Sequence, residues 1–195
     1  MYPNAHRYFS TEYSPEQLNY FRVCFIVFYV VAKGLRIIFK REWDIRFKKT
    51  RGGWMDKPTN GRDFYVMEGP RKQKRFASLL ATMINGNTEE WDSVMLAHAI
   101  LYSESLGLGI SAEVRSAVDD LINFRNEFAH TAQARFSDAA FFSLFKKVND
   151  AFQSLGLSTR PLSPVVKEFP AGKSCLSFHR ALSLRQSIWR ENVLF

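Results

Sequence analysis

The chain has 195 residues, of which 46% are hydrophobic, so it is long enough for one domain with a buried core and a tail. Its formal net charge of +8 favours phosphate-rich or otherwise acidic partners, although charge does not determine the fold. Its two cysteines lie far apart, which excludes a disulfide framework and a cysteine-based zinc site and favours a reducing, cytoplasmic location.

The first predicted helix begins after Ser14, with Pro15 at its first position, and continues to about Trp43. Its most apolar part is VCFIVFYVVA, residues 23–32, which is too short to cross a bilayer, since a spanning helix needs about 20 residues. The β-branched residues in this part also allow a strand, but the helical period on both sides favours a helix. We therefore predict a buried helix and no membrane span.

The remaining elements are separated by glycines, prolines and capping residues. Residues 50–70 contain several turn signals and are predicted to form a long ordered loop, anchored by Trp54 and Phe64. Four further helices are predicted, from about Arg71 to Ile84, from Thr88 or Asp92 to residues 107–109, from Ser111 to about Thr131, and from Ser137 to Gly156.

The predicted fold is therefore an all-α bundle of about five helices. The helical domain spans residues 15–157, after an N-terminal tail of residues 1–14 and before a basic C-terminal tail of residues 158–195. The first tail lacks the apolar segment of a signal peptide. The second leaves open a weaker hypothesis, contact with a membrane surface.

The fourth predicted helix ends in LINFRNEFAH, residues 121–130. Because an α-helix turns by about 100° per residue, Arg125 is predicted to lie in the centre of the apolar stripe, whereas Asn126 and His130 share another side. A guanidinium on a core-facing stripe has to be paired or to line a polar cleft, since an unpaired buried charge is very costly.

Two explanations of this motif remain open from spacing alone. Arg125 could pair with an acid on a neighbouring helix, such as Glu104 or Asp92, while His130 favours the negative end of its own helix dipole. Alternatively, these polar residues line a functional cleft.

The motif and its context resemble the HEPN superfamily. The signature of that family is an Arg, usually followed by a polar residue, with a His four to six positions beyond the Arg, and Arg125, Asn126 and His130 match it. The flanking text, including WMDKP at 54–58 and EWDSVML at 90–96, is similar to the HEPN domain of the DAZ-interacting zinc-finger ubiquitin ligases and of related animal proteins that look like immune receptors. The resemblance covers residues 18–157.

The resemblance implies either an enzyme or a binding module. Catalytic HEPN domains are metal-independent endoribonucleases in which two motifs face one cleft of a dimer, so no cofactor or metal is expected. His130 would transfer protons to and from the RNA 2′-OH and leaving group, Arg125 would bind the phosphate, and Asn126 would orient either of them. Because the chain has one motif, cleavage would require a homodimer or another HEPN partner. The alternative is a non-catalytic module for homo- or hetero-association in a signalling or immune assembly.

Two basic segments are the candidate contacts for an RNA backbone. The first contains Arg46, Lys48, Lys49 and Arg51, and the second contains Arg71, Lys72, Lys74 and Arg75. His98 lies within an apolar helix and is expected to be packed rather than catalytic.

Overall fold

The structure, a computed structural model, describes residues 13–130, 134–163 and 165, and its regular elements there are all helical. The all-α prediction is therefore confirmed. The α-helices are α1 (Pro15–Phe25), α2 (Ala32–Arg51), α3 (Pro58–Met67), α4 (Pro70–Arg75), α5 (Ala77–Met83), α6 (Ser93–Leu101), α7 (Ala112–Ala129) and α8 (Asp138–Ser154), with a π-helical segment (Ile26–Val31) joining α1 to α2. Single 3₁₀ turns occur at Thr88–Glu90, Gly107–Gly109 and Arg160–Leu162.

The first helix is longer than predicted, because α1, the π segment and α2 follow one another without a break to Arg51. It begins with a capping box between Ser14 and Gln17. Its apolar middle is buried, as predicted, except for Tyr29, and no helix in the described part of the chain is long and apolar enough to cross a membrane. The predicted end at Trp43 is wrong because the ion pair of Arg46 with Glu42 and ring packing of Phe47 on Trp43 stabilise the last turns.

The predicted loop at residues 50–70 contains α3, which the turn signals did not indicate. Pro58 occupies the first turn of α3, and Gly61 lies against the backbone of Ile84 and Gly86. The two predicted anchors are confirmed. Trp54 and Phe64 are buried in a cluster of five rings that also contains Phe39, Trp43 and Trp91, in which Phe39 and Trp54 have centroids 4.6 Å apart.

The next two predicted helices are shorter than expected. The helix predicted for residues 71–84 is interrupted at Phe76, which has φ −115° and separates α4 from α5. The third predicted helix, which was to begin at Thr88 or Asp92, corresponds to a 3₁₀ turn followed by α6. Helix α6 is capped by Asp92 and ends at Leu101 rather than at residues 107–109. This end is fixed by Ser103, whose hydroxyl donates to the Ala99 carbonyl at 2.6 Å and accepts from the Leu106 N–H at 3.0 Å.

The last two helices have the predicted caps. Ser111 caps α7 and Ser137 caps α8, and α8 ends in the predicted Schellman motif, with Gly156 at φ +65° and the Leu157 N–H bonded to the Phe152 carbonyl at 2.8 Å. Beyond this motif, Leu162 and Val165 are buried. The basic residues predicted from Lys167 onward, the N-terminal tail to residue 12 and the predicted helix end at Thr131 lie outside the described residues.

Cross-helix contacts define two ends of the bundle. Arg36 of α2 donates to the Thr88 carbonyl, just before α6, while the side chain of Arg46 lies against Gly109, after α6. Helix α7 runs the other way, because its Arg115 donates to the Leu101 carbonyl. We call the region around Arg46–Arg51, Pro70–Arg75 and Leu101–Gly109 the basic end. We call the region around Trp91, Asp92 and residues 125–130 the motif end.

Candidate functional site

Arg125 is half-buried at the motif end. Arg125 was predicted at the centre of the apolar stripe of α7. The buried face of α7 also includes Phe124, so Arg125 lies toward the edge of this face rather than at its centre. Its Nη1 donates to Asn126 Oδ1 at 2.9 Å. Burial lowers the pKa of the Arg125 guanidinium, and the negative charge of Asp92 opposes that shift. Of the two acids considered as neighbours, it is therefore Asp92 that acts on Arg125, since Glu104 binds the Gly69 N–H instead.

Asn126 is half-buried and His130 is exposed. His130 is the residue that ends α7, and its N–H donates to the Asn126 carbonyl at 3.1 Å. Because they are five positions apart, Arg125 and His130 point about 140° apart around the helix axis. Within one chain, therefore, the guanidinium and the imidazole project from different sides of α7.

The side of α7 that carries His130 is acidic. Asp119 and Asp120 lie on this side without an ion pair among the described residues. Beside them, a groove of about 350 Å³ between α7 and α8 is lined by Asp120, Asn123, Glu127, Lys147 and Asp150. Its lysine is already paired, because Lys147 Nζ lies 2.7 Å from Glu127 Oε1. This surface is electrostatically unfavourable for a phosphate backbone.

Both predicted basic segments lie at the basic end, and some of their residues have structural contacts. Arg46 is bound to the buried carboxylate of Glu42 at 2.9 Å, Arg51 lies 3.2 Å from Asp63, and Lys72 donates to the Tyr102 carbonyl. The Arg75 guanidinium stands 5.2 Å above the centroid of the Phe76 ring. These four cations therefore also stabilise the fold of this end.

The other four predicted cations are exposed and have no ion pair in the described part of the chain. They are Lys48, Lys49, Arg71 and Lys74. The acids of this end are occupied, because Glu42 and Asp63 bind arginines, while Glu68 and Glu104 accept backbone N–H groups of Glu104 and Gly69 at 3.0 Å. The eight predicted cations of the basic end outnumber these four acids, so this end carries an excess of positive charge among the described residues.

Tyr102 adds an exposed aromatic ring to this charged surface. It follows α6, and 55% of its surface is exposed. It borders a cleft of about 660 Å³ that is also lined by Lys72, Glu104, Leu108 and Arg115. The cleft thus combines cations with apolar and aromatic surface.

His98 lies near the cations of the basic end, and its pKa responds to their charge. Its ring packs on Phe76, with centroids 4.3 Å apart, as expected for a packed rather than a catalytic histidine. Burial lowers the pKa of His98 to about 4, and the positive charges of Lys72 and Arg75 contribute to the shift. The imidazole is therefore neutral at physiological pH and lies in a positive field.

The two sets of predicted site residues do not lie together. Arg115 marks the basic end of α7, and at about 1.5 Å per residue Arg125 is about 15 Å and His130 about 22 Å farther along the helix. The motif, predicted to line the cleft, and the basic segments, predicted to hold the RNA backbone, lie at different ends of the bundle. Tyr102 and Arg115 were not among the predicted site residues. Tyr102 lies well beyond the second basic segment in the sequence, and both residues reach this surface only through tertiary contacts.

Comparison of the chain with protein families, curated proteins and solved structures finds no match. The resemblance to the HEPN superfamily therefore stays a prediction based on the motif and its flanking sequence.

Proposed function

We propose that this protein binds RNA through its basic end, and that Arg125, Asn126 and His130 take no part in cleavage. The observation that carries the proposal is the set of exposed cations without an ion pair, from α2 and α4, at the same end of the bundle as the cleft beside Tyr102. Lysines and arginines in such a cluster gain binding free energy by displacing counterions from phosphates. The resemblance to HEPN domains makes RNA the expected ligand.

The geometry of the motif end favours binding without cleavage. Arg125 already donates to Asn126 and lies in the field of Asp92. His130 projects from an acidic side of α7, away from Arg125. A site for RNA transesterification instead needs its cation and its proton-transfer group directed at one phosphate.

The test compares two lysines on the same helix. Lys49 lies at the basic end of α2, and Lys33 is exposed near the start of the same helix. We expect Lys49→Gln to weaken binding of a labelled oligouridine of about 12 nucleotides and to reduce the slope of log affinity against log salt by about 0.7. Lys33→Gln should change neither quantity, as measured by fluorescence anisotropy between about 50 and 200 mM salt.

Three outcomes would contradict the proposal. They are an absence of binding at the lowest salt concentration, an equal effect of Lys33→Gln and Lys49→Gln, and a salt slope that neither variant changes. His130→Ala should bind as the wild type does, because it lies at the opposite end of α7.

Association with a second copy of the chain is the alternative function. It is favoured by exposed apolar side chains on the first helix, namely Tyr29, Ile37 and Ile45. If the chain forms a dimer through the helix surface around Ile45, light scattering should give twice the monomer mass, and Ile45→Lys should reduce it to the monomer mass. A monomer at tens of micromolar would contradict this function and leave RNA binding unaffected.

A further inference from the structure

Three rings form a continuous row at the basic end, running from the interior to the surface. Phe76 packs on His98 with centroids 4.3 Å apart, and His98 lies 5.9 Å from Tyr102. The first two rings are partly buried, whereas Tyr102 is exposed and faces the cleft. The row is therefore held from within the protein and ends in one accessible ring.

Positive charge lines this row from both sides. The Arg75 guanidinium lies over Phe76, and Lys72 donates to the backbone carbonyl of Tyr102. On the other side of the cleft, Arg115 Nη2 donates to the Gly107 carbonyl at 2.6 Å. Lys72 and Arg115 thus fix the backbone on which Tyr102 stands, and they place their charges within reach of a ligand bound at the ring.

An exposed ring surrounded by cations matches the chemistry of an unpaired nucleotide. A base stacks on the ring through its π-face, while the attached phosphate interacts with the neighbouring cations. In a duplex, the bases are already stacked on each other and their faces are not available. Only a single strand can therefore use both features of this surface.

We propose that Tyr102 is a base-stacking platform and that the basic end consequently selects single-stranded over double-stranded RNA. This inference rests on the proposed RNA binding and adds the class of RNA and the residue that distinguishes it. Lysines such as Lys49 would supply affinity for any RNA backbone, and Tyr102 would supply the preference for unpaired bases.

The experiment varies the ring and the base together. Wild type, Tyr102→Ala and Tyr102→Phe are compared for binding to oligouridine, to an abasic oligoribonucleotide of equal length and to a duplex. Because base–aromatic stacking is lost, Tyr102→Ala should weaken oligouridine binding by about tenfold. It should leave the salt slope unchanged, and Tyr102→Phe should bind as the wild type does.

Removing the bases should remove the effect of the ring. On the abasic strand and on the duplex, wild type and Tyr102→Ala should bind equally. Phe142→Ala is the matched control, because it removes a ring of similar exposure, 53%, from α8, outside the cleft. It should bind oligouridine as the wild type does, and urea unfolding should show that each variant is folded.

The outcomes separate this inference from the proposed function. If oligouridine binds and Lys49→Gln weakens it while Tyr102→Ala does not, stacking is wrong and backbone binding stands. The inference is also overturned if Tyr102→Ala weakens abasic, duplex and oligouridine binding equally, or if the wild type binds duplex as tightly as oligouridine. If no RNA binds at low salt, the proposed function itself fails.

Discussion

Gly86 occupies a position that no other residue can take. It has φ +74°, and a Cβ at this site would lie 2.0 Å from the carbonyl oxygen of Lys57. We expect Gly86→Ala to destabilise the fold by at least about 3 kcal/mol, because the α3 backbone would have to move away. The free energy of unfolding in urea, followed by tryptophan fluorescence, measures this change.

Gly156 is the control for this substitution. It has φ +65°, but nothing lies within 4 Å of the position where its Cβ would stand. Gly156→Ala should therefore cost only the backbone strain, about 1 kcal/mol. Equal costs at Gly86 and Gly156 would show that close backbone packing adds nothing at Gly86.

His98 makes stability depend on pH. Its folded pKa is about 4, below its ordinary value of 6.5, so between these values the unfolded chain binds a proton that the folded chain does not. The contribution of His98 is therefore fully present above pH 6.5, and it is lost as the pH falls toward 4. The loss should be no more than about 3 kcal/mol.

His98→Phe keeps a ring against Phe76 and removes the titrating group. We expect this variant to lose less stability than the wild type between pH 7.5 and about 5, as measured by urea unfolding. An unchanged slope in His98→Phe would assign the pH dependence to other groups.

At the scale of elements, the segment between α2 and α3 is held by Asp56, the central residue of WMDKP. Asp56 has φ +54° and accepts from Trp54 Nε1 at 3.1 Å, from the Thr88 N–H at 3.1 Å and from the Thr88 hydroxyl at 2.6 Å. It also accepts from Lys40 Nζ. One carboxylate thus joins α2, the loop and the turn before α6.

We expect Asp56→Ala to destabilise the fold by about 3 kcal/mol or more, because it removes several charge-assisted hydrogen bonds and leaves Thr88 without its partner. Asp63→Ala is the matched comparison. Asp63 pairs with Arg51 on the surface, and both side chains are more than a third exposed, so its loss should cost less than about 1 kcal/mol. Similar costs in urea unfolding would contradict the role assigned to Asp56.

The accuracy of the predicted elements depended on how local their signals were. The caps at Ser14, Ser111 and Ser137 were predicted correctly, because a cap is determined by a few neighbouring residues. Helix α3 was missed because Asn60 and Gly61 read as a turn signal. In the fold, Asn60 instead accepts the Met55 N–H at 2.9 Å, and Gly61 permits the close approach of another backbone segment.

For the candidate site, too, the sequence predicted what depends on neighbouring residues and did not predict what depends on tertiary structure. Spacing on a helical wheel could put Asn126 and His130 on one side of α7 and Arg125 on another. It could not show that the segments around Lys49 and Arg71 lie at the opposite end from the motif, because that depends on α2 and α6 running together while α7 runs the other way. Nor could it show that Arg36 and Lys40 bind the Thr88 carbonyl and Asp56.

At the scale of the whole molecule, the separation of the two ends predicts binding without cleavage. In EDTA, the wild type should retain a labelled RNA that it binds and should leave it intact, as judged by denaturing gel electrophoresis. The contrary outcome would be cleavage through the motif. In that case the 2′-OH would be the nucleophile, the products would carry 2′,3′-cyclic phosphates, and His130→Ala would lower the cleavage rate by about 10²–10⁴-fold. Such cleavage would contradict the proposed function and show that two chains bring Arg125 and His130 to one phosphate, whereas equal cleavage by wild type and His130→Ala would identify a contaminant.

Arg125→Ala must be checked for folding in the same experiment, because the Arg125 guanidinium is half-buried and bonded to Asn126. Retained RNA binding by both variants, with no cleavage by any protein, is the result that the geometry predicts.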